Sequence, residues 1–173
     1  MASINQVLES FRQNSTDQRG KGDAFERLMA QYLVTDAVRK QQFKEAWLWS
    51  EWPELARHPD LNRQDTGVDL VALQHDGTWC AVQCKMYDED ARISMDDLKG
   101  FMTLSGKSCF SARLIIATVR AWTANLEKGL AQQTIPVEKI NLEDLEASDI
   151  DWSRWSPDQK TLPKHTQKTL RPY

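Results

Sequence analysis

The sequence predicts an α/β domain: a central mixed β-sheet flanked by helices. Three observations lead there. Helix-patterned and strand-patterned segments alternate along 173 residues, enough for one ordinary domain with a proper core. Residues 112–119 (Ala-Arg-Leu-Ile-Ile-Ala-Thr-Val) are apolar with little alternation, the pattern of a strand buried on both faces. Two strand-like runs are joined by the short turn signal His75-Asp76-Gly77, so at least one strand pair is an antiparallel hairpin.

The elements follow in chain order. Residues 1–19 are polar around Ile4, Val7, Leu8 and Phe11, which predicts a loosely packed leading helix, an extension outside the domain proper at 20–155. Phe25, Leu28, Met29, Tyr32 and Leu33 recur at helical spacing over 23–34, and Asp23 in the first turn suits the helix dipole. Residues 43–52 are aromatic-rich (Trp47, Trp49, Trp52) and read as a strand closed by Pro53. A loop over 57–64 leads to strands at 67–73 and 78–87. Ser94 and Asp97 make a capping-box-like start to a helix ending near 104, with Leu98, Phe101 and Met102 inward. After the apolar strand, Thr123 or Asn125 caps a helix to about 133, and 135–140 is a final short strand. Trp152 and Trp155 pin the following segment onto the body. The order is helix, three strands, helix, strand, helix, strand.

Composition narrows the function classes. Hydrophobic residues make up 40% and charged residues 27%, as in a globular chain, and 7 Gly with 6 Pro exclude collagen-like or low-complexity readings. No run approaches the ~18 apolar residues that cross a membrane, so no membrane partner is expected. Residues 1–6 carry no basic start and apolar run of a secretory signal. Cys80, Cys84 and Cys109 fit free thiols in a reducing, cytoplasmic setting. Cys80 and Cys84 have no second Cys/His pair to complete a zinc site. The net charge is −3; Lys160, Lys164, Lys168 and Arg171 against Asp158 put +3 on 156–173 and leave −6 on 1–155. The body therefore lacks the basic footprint of a free-standing nucleic-acid binder.

Alternation sorts the polar residues that interrupt the central strands. Asp69, Val71 and Leu73 share one face of their strand, and Ala81, Gln83 and Lys85 share one face of the next. An acid in Gly-Val-Asp-Leu-Val is costly to bury unless paired or metal-bound. Two readings of this trio stay open on the residues alone: a structural Asp69–Lys85 ion pair with Gln83 as filler, or a reactive site. Register separates them. A two-residue Asp76-Gly77 turn pairs positions summing to 153 and sets Asp69 opposite Cys84, away from Gln83 and Lys85. A three-residue turn sums to 152 and sets Asp69 opposite Gln83. A one-residue slip moves the whole set to the other face, so a reactive site demands the odd-length turn or a compensating bulge, with Gly77 in the left-handed conformation.

The order Gly22-x2-Phe25-Glu26, then Asp65-Thr-Gly-Val-Asp69-Leu-Val-Ala72, then Val82-Gln83-Cys84-Lys85 resembles the PD-(D/E)xK nuclease superfamily, in its Mrr-like branch with an Asp…Gln-x-Lys pattern. The likeness runs from about 20 to 140. It implies a restriction-endonuclease-like fold and Mg²⁺-dependent hydrolysis of phosphodiester bonds in DNA, with Mn²⁺ able to substitute. It implies that Asp69, Gln83 through its amide oxygen, the main-chain carbonyl of Cys84, and Glu26 hold the metal, and that Lys85 handles the attacking water and the developing charge. Gln83 departs from the commoner acidic residue, and Glu26 then restores a charge. Gln64 and Asp65 are weaker candidates; Lys99, Ser105 and Lys107 are candidate phosphate contacts; Trp47, Trp49 and Trp52 read as core and loop anchors, and His58, His75 and His165 take no catalytic role. The segment from Lys164 to Tyr173, ending Arg-Pro-Tyr, resembles the lead-in to a superfamily 2 helicase. That implies a basic linker over 156–173 and a C-terminal helicase or translocase as partner in a larger polypeptide, with the layout of Type ISP restriction enzymes. The alternative from another class is a nuclease-like domain without catalysis, serving as a DNA-binding or docking module. A small-molecule-binding α/β domain lacks any glycine-rich phosphate loop in its favour.

Overall fold

In a computed structural model the described residues are 3–14, 18–62, 64, 67–156 and 161–165. They form α1 (Ile4–Asn14), α2 (Gln18–Thr35), β1 (Phe43–Leu48), β2 (Leu70–Gln74), β3 (Trp79–Lys85), β4 (Arg92–Ile93), α3 (Lys99–Leu104), β5 (Phe110–Ala117), β6 (Ala121–Trp122), α4 (Ala124–Ala131), β7 (Val137–Ile140) and α5 (Leu142–Glu146). The central sheet runs β1-β2-β3-β5-β7. β1, β2 and β3 are antiparallel neighbours, whereas β5 and β7 run parallel to β3. β4 and β6 make a separate two-stranded ribbon. The mixed sheet with helices on both faces is the architecture that the residue pattern predicts.

Alternation along the strands divides the core in two. Leu70, Ala72, Cys80, Val82, Leu114 and Ile116 face α1, α2 and α5; Val71, Ala81, Ile115 and Ala117 face Leu98, Phe101, Leu126 and Leu130 of the opposite layer. Leu114, Ile115 and Ile116 are all buried, as an apolar run without a solvent face requires.

The hairpin has the odd-length turn. Leu70 pairs Val82, Val71 pairs Ala81, Ala72 pairs Cys80 and Leu73 pairs Trp79. The Gln74 N–H donates to the Thr78 carbonyl at 2.9 Å, enclosing His75, Asp76 and Gly77. Gly77 sits at φ +87°, where a side chain is strained. The Asp76 carboxylate accepts from the Thr78 N–H at 2.9 Å and pins the turn.

Several elements differ from expectation for physical reasons. α1 is not loosely packed: Ile4, Val7, Leu8 and Phe11 are buried, and Phe11 meets the Trp155 ring edge-on at 5.5 Å. β1 stops at Leu48 instead of 52, because Trp49–Glu51 turns as a 3₁₀ segment that sends the Trp49 ring into the core. Its indole N–H then donates to the Asn62 carbonyl at 2.9 Å. β7 begins at Val137, not 135. Of the two candidate caps for α4 it is Thr123 whose side chain accepts from the Leu126 N–H. α5 has no counterpart in the expected order; the Asn141 N–H donates to Asp144 Oδ2 at 2.8 Å at its start. Within 156–173, residues 161–165 dock on the domain: Leu162 is buried and Lys164 Nζ lies 2.8 Å from Asp149. Asp65 and 166–173, with the Arg-Pro-Tyr stretch, fall outside the described residues.

Candidate active site

β2 begins at Leu70 while β3 continues to Lys85, so the sheet opens at the end where the two strands separate. Asp69 sits at that opening. Its main chain is still tied in, the N–H donating to Val82 O at 2.9 Å and the carbonyl accepting from the Trp49 N–H at 3.0 Å. Its side chain takes the place of a strand partner: Asp69 Oδ2 accepts from the Cys84 N–H at 2.8 Å and from Gln83 Nε2 at 2.8 Å. Two donors on one oxygen leave Oδ1 available. Because the Gln83 amide nitrogen is committed to Asp69, its oxygen is the atom it offers outward. The Thr118 N–H donates to the Lys85 carbonyl, so the odd residues of β3 bond toward β5. Strand geometry then puts the Cys84 carbonyl on the open edge, beside Asp69.

Electrostatics are set by burial and by like charge. Burial raises the Asp69 carboxyl above its usual range, against the Cys84 N–H, the Gln83 amide and the Lys85 charge, which favour the ionised form. Glu26 is half-buried on α2 and is pushed from an ordinary 4.5 to about 8, by burial first, then by the charges of Asp69 and Asp23, with Arg27 pulling the other way. Although α2 lies on the sheet face opposite Gln83 and Lys85, the opening beside Asp69 lets Glu26 act on the same carboxylate. The Cys84 thiol is held well above its usual range by burial, Asp69 and Glu26, so it stays neutral. Cys80 is buried and likewise raised.

On the α3 side Gln83 and Lys85 floor a cleft of about 760 Å³ whose wall is α3 with Asp97 and Lys107. Asp97, which the sequence pattern marks only as a cap, has a second role here. Its Oδ2 does accept from the Ser94 N–H at 2.8 Å and hydroxyl at 3.0 Å, but its Oδ1 also accepts from the Tyr87 hydroxyl at 3.3 Å, and it feels the Lys85 charge. Burial raises it; these donors together outweigh burial and hold it below the usual range. The sequence does hold a signal for this: Tyr87 lies two residues beyond Lys85, on the same alternating face. Ser105, expected at phosphate, is instead fully buried and accepts from Arg113 Nε at 2.8 Å. Gln64 lies in an exposed turn. His58 stacks on Trp52, and the His75 ring bonds the Lys40 carbonyl.

The wall is fixed by contact. A Cβ on Gly67 would lie 2.5 Å from the Gly100 carbonyl oxygen, so only glycine lets the chain leading to Asp69 pass α3 this closely.

No group of three His, Cys, Asp or Glu side chains gathers among the described residues. A cation held at this opening would draw on the Asp69 carboxylate, on amide and main-chain carbonyl oxygens, and on Glu26, which feels the Asp69 charge. That set is all oxygen, which suits a hard divalent cation. A carboxyl such as Glu26, raised to about 8 by burial and by the Asp69 charge, is the kind of group whose ionised form a nearby divalent cation favours.

Comparison with known proteins follows the same line. A family model described as restriction endonuclease (Mrr_cat_2) matches residues 34–162. Among solved structures, the ATP-dependent Type ISP restriction-modification enzyme LlaBIII bound to DNA superposes with a TM-score of 0.78 at 28% identity, covering 100% of this chain and 10% of that one. The MspJI restriction endonuclease in complex with a 27-mer oligonucleotide superposes with a TM-score of 0.54 at 16% identity, over 82% of this chain and 30% of that one, a likeness of fold. The chain thus spans about a tenth of the length of the Type ISP enzyme it resembles. No curated protein sequence matches it.

Proposed function

The chain belongs to the restriction endonuclease family of the Mrr type, and on that premise we propose that it is a Mg²⁺-dependent DNA endonuclease domain, working in the cytoplasm within a larger ATP-dependent restriction or defence translocase. The observation that carries this reading is the Asp69 carboxylate, fixed on one oxygen by Gln83 and Cys84 and flanked by Glu26 and Lys85. Asp69 Oδ1, the Gln83 amide oxygen, the Cys84 carbonyl and Glu26 would hold the metal, and Mn²⁺ would fit the same oxygen set. When bound, such an ion polarises the phosphate and lowers the pKa of a coordinated water.

The protein's own groups do the rest. The Gln83 amide and the Cys84 N–H favour the ionised form of Asp69 against its burial and fix its orientation. Lys85 makes no ion pair within 4.0 Å among the described residues, so its ammonium is available to a phosphate oxygen and to charge that develops there. Glu26, raised to about 8, favours its protonated form at neutral pH and would give up that proton on holding a cation.

The test is plasmid cleavage in Mg²⁺ or Mn²⁺, comparing the chain with Lys85→Ala and Asp69→Asn. Cleavage that both substitutions abolish supports the reading. Cleavage that survives Lys85→Ala overturns the assignment of this site. A folded chain that binds DNA in the presence of the metal without cutting it leaves a docking module in its place.

A further inference from the structure

Beyond the reacting centre, the α3 wall carries a second kind of group. Lys99 and Thr103 stand four residues apart on α3, and Lys107 lies four further on; all three line the cleft floored by Gln83 and Lys85. Lys99 and Thr103 share a face of α3 and are offset by about 6 Å, and Lys107 lies past the helix end at Leu104, in the turn that leads to β5. A DNA strand carries a charge every 3.4 Å or so of its axis, so a backbone laid along this wall brings more than one phosphate within reach of these side chains.

The charge balance of the cleft favours an anion. Its two acids are committed to protein partners: Asp97 to Ser94 and Tyr87, and Asp60 to Lys107 across 3.5 Å. That Lys107–Asp60 pair is exposed on both sides (40% and 58%) and so exchanges readily for a phosphate. Lys99 is exposed and makes no ion pair among the described residues. Elsewhere several surface cations are paired with acids, Arg39 with Glu138, Arg120 with Glu89, Glu143 and Glu146, and Lys139 with Glu127, while Lys40, Lys44 and Lys128 are exposed without an ion pair among the described residues. What distinguishes the cleft is placement: Lys85, Lys99 and Lys107 line one concave surface, and Lys85 and Lys99 make no ion pair among the described residues.

We propose that Lys99 and Lys107 grip backbone phosphates flanking the attacked one, holding a DNA strand along α3 and across Gln83 and Lys85. This rests on the nuclease reading and adds the direction in which the strand lies. The contacts are to phosphate alone, so they position the strand without selecting its sequence.

The experiment is fluorescence anisotropy of a short labelled duplex with the chain in Ca²⁺, over a series of salt concentrations, beside plasmid cleavage by the same preparations in Mg²⁺. Removing one lysine–phosphate pair flattens the plot of log affinity against log salt by about 0.9. Lys99→Gln and Lys107→Gln are each expected to flatten it by about one and the double variant by about two, with the same weakening on unrelated duplex sequences. Lys44→Gln, exposed on edge strand β1 away from the cleft, is expected to leave the slope unchanged. All three lysines have side chains open to solvent, so melting temperatures near that of the parent confirm that the variants fold. Cleavage by the parent with an unchanged slope in the double variant overturns the phosphate grip and leaves the nuclease reading standing. A parent that neither binds nor cuts overturns both.

Discussion

Replacing Gln83 by the acid more common at this position of the superfamily is the most searching perturbation of the site. Gln83→Glu removes the Nε2 donor that Asp69 Oδ2 accepts at 2.8 Å. A hydrogen bond to a charged group is worth about 1.5–3 kcal/mol. The substitution also sets a second carboxylate against the first, in a position only 6% exposed. Two charges about 4 Å apart at an effective dielectric near 20 repel by about 4 kcal/mol, an upper bound that the new acid escapes in part by keeping its proton. The net cost at pH 8 in a chelator is about 2–4 kcal/mol. For a chain of this size that lowers the melting temperature by roughly 4–15 °C. Mg²⁺ reverses the sign of the interaction, since both carboxylates then face a cation. An ion present at about 100 times its dissociation constant returns about 2.7 kcal/mol. The assay is a thermal melt of parent and variant at pH 8, in chelator and across a Mg²⁺ titration. A variant as stable as the parent in chelator refutes the Gln83–Asp69 pairing. A destabilised variant that Mg²⁺ does not recover refutes the cation site.

Further outcomes follow from the same geometry. Glu26 binds its proton more tightly folded than unfolded between about 4.5 and 8, so in chelator stability falls as pH rises through that window and levels off above it; Glu26→Gln removes this slope in melts recorded across pH. Gly67→Ala drives a Cβ to 2.5 Å from the Gly100 oxygen, at about 1–3 kcal/mol or more by denaturant melts, and cuts plasmid cleavage further than that loss of fold accounts for because Asp69 is two residues on. The Trp52 indole N–H is buried without an acceptor among the described residues, whereas that of Trp49 bonds Asn62. Trp52→Phe is therefore expected to cost about 1 kcal/mol less than Trp49→Phe in urea unfolding.

What is legible in the sequence is what local pattern dictates. α2 and β5 announce themselves through periodicity and its absence. The hairpin register follows from counting, and with it the meeting of Asp69 and Gln83. The end of β1 is not legible, because aromatic residues in a strand and in a buried 3₁₀ turn have the same composition. Only the Trp49 bond to Asn62, thirteen residues on, tells them apart. Ser105 misleads for a related reason: its partner Arg113 lies on the next strand, and nothing beside Ser105 foretells it. α5 has a readable sign in Asn141-x-x-Asp144, but five residues give periodicity too little to work on. The joint role of Asp97 needs the folded hairpin and α3 together.

The three-residue turn at His75–Gly77 has a meaning for how this domain tolerates change in length. An exposed hairpin tip is ordinarily where a chain accepts an inserted or deleted residue at little cost. Here the tip behaves as a parity element. One residue more or fewer, without a bulge to absorb it, exchanges inside for outside along β3 and delivers the amide and ammonium of the site into the apolar layer beneath α2. Two residues more restore the faces and lengthen only the tip. A turn at the other end of the hairpin from the chemistry, where a Cβ at Gly77 would meet nothing within 4 Å, is thus tightly restricted in length. Its constraint is arithmetic, where that of Gly67 is spatial.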